Sequence, residues 1–187
     1  MSATDAGSDG TKVFGLAGWS GSGKTSLMVR LLPALTGRGY SVSTMKHAHH
    51  NFEMDREGKD SYEHRMAGAT EVLVTSAKRW ALLHELRERP EPSMAEMIER
   101  MTPVDLLLIE GFKREEHDKL EVHRPSIGKP LLCPDDPRIV AVASDEAIPG
   151  LDLPCLDLDD TEAIADFIVA HCGLARDVRA EALGGGS

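Results

Sequence analysis

Gly18-Trp19-Ser20-Gly21-Ser22-Gly23-Lys24-Thr25 decides the fold. The octet has the spacing G-x-x-x-x-G-K-[ST] without a gap, and that spacing is a phosphate-binding loop when a strand leads in and a helix leads out. Both flanks are legible. Val13–Ala17 is a short apolar β-type run, and Lys24–Arg38 reads as a helix bent locally at Pro33. Glycines allow the tight turn and aim consecutive N–H groups at phosphate oxygens. The helix N-terminus adds partial positive charge. Lys24 is expected to reach the β- and γ-phosphates, and the Thr25 hydroxyl to ligate Mg²⁺ beside them. The rival reading is a chance Gly/Ser-rich turn. Four fixed positions in a strand–helix context count against it.

Working outward, apolar runs alternate with helical stretches. The expected strands are Val13–Ala17, Ser41–Lys46, Glu71–Thr75, Trp80–His84, Asp105–Glu110, Lys119–His123 and Ile139–Ala143, with a short last one near Cys155–Leu156. Further helices are expected over Ser61–Ala67, Met94–Met101 and Thr161–His171. Capping boxes mark two starts, Ser93 with Glu96 and Asp159 with Glu162. Leu106–Ile109 is continuously apolar, as a parallel strand covered on both faces should be. The alternation predicts an α/β fold of phosphate-loop NTPase type, a three-layer sandwich with a mixed, mainly parallel sheet. No helix separates neighbouring strands in Glu71–Leu86 or ahead of Lys119–His123, so antiparallel additions are expected in both places. Residues 1–11 and 175–187 read as tails, polar at one end and Gly-Gly-Gly-Ser at the other, flanking one nucleotide-binding domain over 12–174.

The strand Asp105–Glu110 ends in a carboxylate at the edge where α/β sheets bind ligands. Glu110 is therefore the candidate to hold Mg²⁺, directly or through water, and Gly111 is expected to let a ligand approach the backbone. Asp105 begins the strand and reads as a junction residue. After the second strand comes Lys46-His47-Ala48-His49-His50-Asn51-Phe52-Glu53-Met54-Asp55, then Gly58-Lys59-Asp60-Ser61. Three readings compete: a switch-like loop that touches phosphates, Mg²⁺ or the attacking water, a transition-metal site, and a solvated polar loop. Asp60 is the first choice for positioning water and Asp55 the second. Asp145 follows another apolar strand. A carboxylate there suits the N1–H and N2–H₂ edge of guanine, whereas adenine lacks that donor pair; a plain loop acid is the rival reading. The remaining histidines, Arg65, Arg79, Trp80 and the methionines at Met94, Met97 and Met101 have packing or surface roles as their first reading.

Composition narrows the partners. The chain has 187 residues, 41% of them hydrophobic and 28% charged, which suits a globular domain able to bury a core. Asp and Glu number 31 against 21 Lys and Arg, and the resulting charge of −10 makes nucleic acid and anionic membrane poor general partners. Three cysteines without a close pair fit a reducing compartment, and no apolar run is long enough to span a bilayer. The expected location is the cytoplasm.

With these motifs in view, the chain resembles the molybdopterin-guanine dinucleotide biosynthesis adaptor protein B (MobB) family. The resemblance rests on Gly18–Ser26, Thr44-Met45-Lys46-His47-Ala48-His49-His50, Gly58-Lys59-Asp60-Ser61, Ala67-Gly68-Ala69, Arg79-Trp80-Ala81-Leu82, Leu108-Ile109-Glu110-Gly111-Phe112-Lys113 and Pro134-Asp135-Asp136-Pro137. It implies a homodimeric GTP-binding adaptor with slow, Mg²⁺-dependent GTP hydrolysis. It implies a partnership with the guanylyltransferase that joins GMP to the molybdenum-bound pterin, and it admits molybdopterin itself as a ligand. The nucleotide-contacting set then runs through Ser26. Lys24 would neutralise developing charge while Asp60 or a neighbour positions water. Trp19 stands where a deviant phosphate-loop subclass has a signature lysine, which argues against dimer-borne lysine catalysis. Two rivals are kept: a GTP-driven metallochaperone, motivated by His47, His49 and His50, and an ATP-dependent small-molecule kinase.

Overall fold

The structure, a computed structural model, describes residues 10–48, 55–112 and 115–174. In chain order the elements are β1 (Lys12–Ala17), α1 (Lys24–Gly37), β2 (Val42–Lys46), α2 (Asp60–Met66), β3 (Glu71–Thr75), β4 (Trp80–His84), α3 (Met94–Glu99), β5 (Leu106–Glu110), β6 (Lys119–His123), β7 (Ile139–Ser144), β8 (Cys155–Asp157) and α4 (Thr161–His171), with a 3-10 turn at Pro125–Ile127. The chain divides into two compact units, Ala48–Glu96 and the remainder. The expectations for His49 and His50, for the glycine-rich end and for most of the N-terminal tail fall on residues outside those described.

In the larger unit six strands form one sheet in the order β2-β5-β1-β6-β7-β8. Every neighbouring pair is parallel. Alternation on β1, β5, β6 and β7 sends Phe14, Leu16, Leu106, Leu108, Leu120, Val122, Ala141 and Ala143 to one face, where α1 and α4 cover them. The covering stripe on α1 is Leu27, Met28, Leu31 and Leu35, at helical spacing. On α4 it is Ile164, Ala165 and Ile168. Helix α1 continues through Pro33 to Gly37. Asp105 is the junction residue expected of it: its carboxylate accepts from the Ser41 backbone N–H and hydroxyl, both at 2.7 Å, and ties the start of β5 to the start of β2.

Two expectations are corrected here. Strand β6 is parallel to both β1 and β7, not an antiparallel addition. Strands β5 and β6 flank β1 and run the same way, so a connection without an evident helix in the sequence still serves here as a crossover. The cap of α4 is Asp160, which accepts from the Ala163 N–H at 2.9 Å; Asp159 instead donates its own N–H to Asp157 at 2.9 Å. The Ser93–Glu96 box forms as read, with the Glu96 carboxylate on the Ser93 N–H at 2.8 Å and the Ser93 hydroxyl on the Glu96 N–H at 3.3 Å.

The second face of β6 departs from an apolar pattern. Lys119, Glu121 and His123 are all buried there. Glu121 accepts the backbone N–H of Leu132 at 2.8 Å and of Cys133 at 2.9 Å. Lys119 donates to the Glu115 carbonyl at 2.8 Å and to Asp136 at 3.0 Å. These bonds fasten the segment 129–137 onto the sheet, because buried charge is tolerated only when paired and hydrogen-bonded.

In the smaller unit β3 and β4 form an antiparallel hairpin, with Leu73 opposite Leu82 and Thr75 opposite Trp80. The guanidinium of Arg65 on α2 lies 3.2 Å from Glu85 and 4.0 Å from Asp55, and 5.1 Å from the Tyr62 ring centroid. That commits Arg65 to internal contacts. One face of the hairpin leaves Leu73 at 61%, Trp80 at 69% and Leu82 at 49% exposure. No helix among the described residues is long and apolar enough to cross a membrane.

Candidate nucleotide site

The loop from Gly18 to Gly23 leaves β1 and enters α1 directly. At Gly18 the backbone has φ +140°, and a Cβ would stand 2.4 Å from the Val122 carbonyl oxygen and 2.7 Å from the Ser22 hydroxyl. No other residue fits that turn. The Ser22 hydroxyl is wholly buried beneath the loop and has no hydrogen-bond partner among the described residues. At the helix start Gly23 contributes no side-chain cap. Helices α2, α3 and α4 each carry an acid in the first turn, and α1 has none. The first turn of α1 thus directs uncapped N–H groups and a net positive field outward, as an anion requires. Lys24 lies across the loop and donates to the carbonyls of Gly18 at 3.0 Å and Trp19 at 2.9 Å.

Parallel pairing of β1 with β5 sets Leu16 beside Glu110, so the strand-end acid stands next to the phosphate loop. The Thr25 hydroxyl lies within hydrogen-bonding distance of both Glu110 carboxylate oxygens, at 3.0 and 3.1 Å. The two residues chosen from sequence as metal ligands are therefore adjacent. Lys46, at the end of β2, lies 3.3 Å from Glu110. A hydroxyl and a carboxylate at the foot of a phosphate loop are hard oxygen donors of the kind Mg²⁺ takes alongside phosphate oxygens and water. The residues fit that ion.

The turn after β5 is left-handed twice, with φ +101° at Gly111 and +46° at Phe112. What approaches Gly111 is His47: a Cβ on the glycine would meet the His47 Cβ at 3.0 Å. The His47 ring packs against Phe112 with centroids 4.8 Å apart. Among the described residues no group of three or more His, Cys, Asp or Glu is arranged to hold a metal ion.

Asp145 follows β7 and is ion-paired with Arg124, the residue after β6, at 2.5 Å. Asp60 is the exposed first residue of α2 in the other unit. Asp55 accepts the Ser61 hydroxyl at 2.8 Å, which anchors the start of α2. Motif reading placed Trp19 in the loop without its partner, and it missed Glu121 and Arg124. The Trp19 indole donates to the Pro130 carbonyl at 2.8 Å with Lys129 5.6 Å from its ring centroid, Glu121 holds the same segment, and Arg124 flanks Gly23. Burial, and next the nearby Glu121 charge, raises the Cys133 thiol above its ordinary pKa, so it is a poor nucleophile in this place. Cys133, Cys155 and Cys172 are all free thiols.

Comparison with known proteins gives a consistent picture. The model of the family described as "Molybdopterin guanine dinucleotide synthesis protein B" matches residues 13–145. The molybdopterin-guanine dinucleotide biosynthesis adapter protein of Escherichia coli (strain K12) is 44% identical over 156 residues, which is 82% of this chain and 89% of that one. The Haemophilus influenzae protein of the same description is 40% identical, covering 83% and 86%. A solved structure described as molybdopterin-guanine biosynthesis protein B superposes with a TM-score of 0.67 at 27% identity, over 85% of this chain and 99% of the other.

Proposed function

The chain belongs to the molybdopterin guanine dinucleotide synthesis protein B family, and from that premise we propose that it is an adapter in molybdopterin guanine dinucleotide biosynthesis that binds GTP with Mg²⁺. The observation that carries the nucleotide reading is the contact of Thr25 with Glu110 at the foot of the uncapped phosphate loop. It supports a site where the loop N–H groups from Gly18 to Ser26 and the Lys24 ammonium take the phosphates, and where Thr25 and Glu110 hold the metal. Bound Mg²⁺ would supply neutralisation of charge on the β- and γ-phosphates. Lys24 adds a second positive charge there. A site with a single loop lysine and no supplied glutamine suits slow turnover.

The relatives' description as biosynthesis adapters supports interaction with enzymes of that synthesis; the partner proposed is a guanylyltransferase that transfers GMP to the pterin, with molybdopterin itself as a further ligand of the complex. The exposed face of Leu73, Trp80 and Leu82 supports a homodimer, since adjacent large apolar side chains on a hairpin are seldom left to water. Three free thiols suit a cytoplasmic protein.

The test is competition between GTP and ATP for the purified protein with Mg²⁺ present. The proposal expects GTP to bind more tightly. Equal binding, or a preference for ATP with rapid transfer to an acceptor, would replace it with the kinase reading. Retention of stoichiometric Ni²⁺ or Zn²⁺ after dialysis would support the metallochaperone reading instead.

A further inference from the structure

Arg124 belongs to no motif, yet its guanidinium lies between groups that the GTP reading assigns to opposite ends of one ligand. On one side is Gly23, the last glycine of the phosphate loop. A Cβ there would stand 3.5 Å from Arg124 Nε and 3.8 Å from Nη2. On the other side Nη1 donates to Asp145 Oδ2 at 2.5 Å. The juxtaposition follows from the sheet. His123 and Ser144 are register partners on parallel neighbours β6 and β7, so the next residues, Arg124 and Asp145, leave the sheet side by side. Both side chains are partly withdrawn from water, at 34% and 24% exposure.

The chemistry of this pair is specific. A carboxylate has about four lone-pair directions on two oxygens, and one bond from a rigid guanidinium fixes its plane while leaving acceptor capacity for a ligand. Asp145 stands at the start of a turn, where an untethered carboxylate would rotate. Arg124 removes that rotation and sets the acid at a fixed distance from the phosphate loop.

We propose that Arg124 is a positioning residue for base selection, which holds the Asp145 carboxylate against the N1–H and N2–H₂ edge of a guanine whose phosphates sit on the loop. The inference rests on the GTP reading above and goes beyond it by assigning selectivity to a residue outside the nucleotide motifs. It acts through Asp145, and direct contact with phosphate is the competing role.

The test compares GTP, ITP and ATP binding to the full chain, with Mg²⁺, for the wild type, Arg124→Ala, Arg124→Lys and Asp145→Asn. ITP lacks only the 2-amino group, so the GTP:ITP ratio isolates the second bond to the carboxylate. One hydrogen bond to a charged group corresponds to roughly tenfold or more in that ratio. Arg124→Ala is expected to lower the ratio about tenfold, with ITP, which keeps N1–H, weakened less than GTP and ATP affinity changed by less than about threefold. Arg124→Lys should restore part of it. Combining Arg124→Ala with Asp145→Asn should lower the ratio no further than Asp145→Asn alone, because the two act as one unit. An unchanged GTP:ITP ratio in Arg124→Ala would overturn the inference. So would an equal loss of all three nucleotides, which would mark Arg124 as a phosphate contact. A wild type without preference for GTP over ATP would overturn the underlying reading, and is recognisable before any variant is made. If Arg124→Ala does not fold by circular dichroism, the ratio is read from Arg124→Lys, where no change again overturns the inference.

Discussion

Replacing Glu110 with glutamine keeps the side chain's size and removes one negative charge, and the structure separates what that does to the fold from what it does to the metal. For the fold, the charge pairs with Lys46 at 3.3 Å, but the Lys46 side chain is 60% exposed. Exposed pairs contribute roughly 0–1 kcal/mol, so the loss is small. The Thr25 hydroxyl still finds the amide oxygen. At this chain length 1 kcal/mol moves the melting temperature by about 2–4 °C. For the metal, a unit charge and a divalent ion about 4 Å apart attract by about 2 kcal/mol at the dielectric constant of water and about 8 kcal/mol at a partly buried value near 20. The Glu110 side chain is only 13% exposed, so the lower figure is a floor. It corresponds to about thirtyfold in Mg²⁺ affinity. The assay titrates Mg²⁺ at fixed GTP while following bound nucleotide, with a thermal melt in parallel. The half-saturating Mg²⁺ concentration should rise at least about thirtyfold, with Tm shifted by no more than about 4 °C. An unchanged Mg²⁺ requirement in a folded Glu110→Gln protein would refute the assignment of this acid.

Three further outcomes follow. Lys24→Ala should lower GTP affinity by more than roughly tenfold, the effect of one charge-assisted hydrogen bond, and unaltered affinity by calorimetry would remove the phosphate-loop assignment. Glu121→Gln leaves one acceptor oxygen for the two N–H groups of Leu132 and Cys133; it should cost roughly 1.5–3 kcal/mol in urea unfolding, and a change below about 0.5 kcal/mol would contradict the buried clamp. Burial, reinforced by the Lys119 charge, lowers His117 from 6.5 to about 4, so between those values the unfolded chain binds more protons than the folded protein. Stability should therefore be full above about pH 6.5 and decline toward pH 4, by roughly 3 kcal/mol at most; urea midpoints measured across that window should fall less steeply in His117→Leu, and an identical slope would exclude His117 as the cause.

Much of the site was legible in the sequence because its parts sit at fixed positions on regular elements. The loop Gly18–Thr25 needs a strand before it and a helix after it, and both have strong apolar periods. Glu110 ends an unbroken apolar strand, so its place beside the phosphate loop followed from topology, and the structure sets it against Thr25. The direction of β6 was not legible, since a helix-free connection usually signals a hairpin. The true cap of α4 was missed because Asp159 and Asp160 are adjacent and only geometry separates them. Lys119, Glu121 and His123 were hidden for another reason. Polar residues alternating with Leu120 and Val122 look like the wet face of a strand, and nothing local reveals that a distant segment covers them. Arg124 and Trp19 act through partners far along the chain, which periodicity cannot detect.

The burial of Glu121 has a consequence for motion. Leu132 and Cys133 lie in a stretch with neither helix nor strand, where amide protons ordinarily exchange with solvent quickly. Their N–H groups end on a carboxylate with no accessible surface, in the middle of a parallel sheet. They can exchange only when the segment lifts from that carboxylate, and lifting it leaves a charge on a sheet face built to be covered. Two amides in an irregular segment should therefore exchange more slowly than their irregular neighbours. The indole of Trp19, hung from Pro130 in the same segment, would feel each such opening at the phosphate loop.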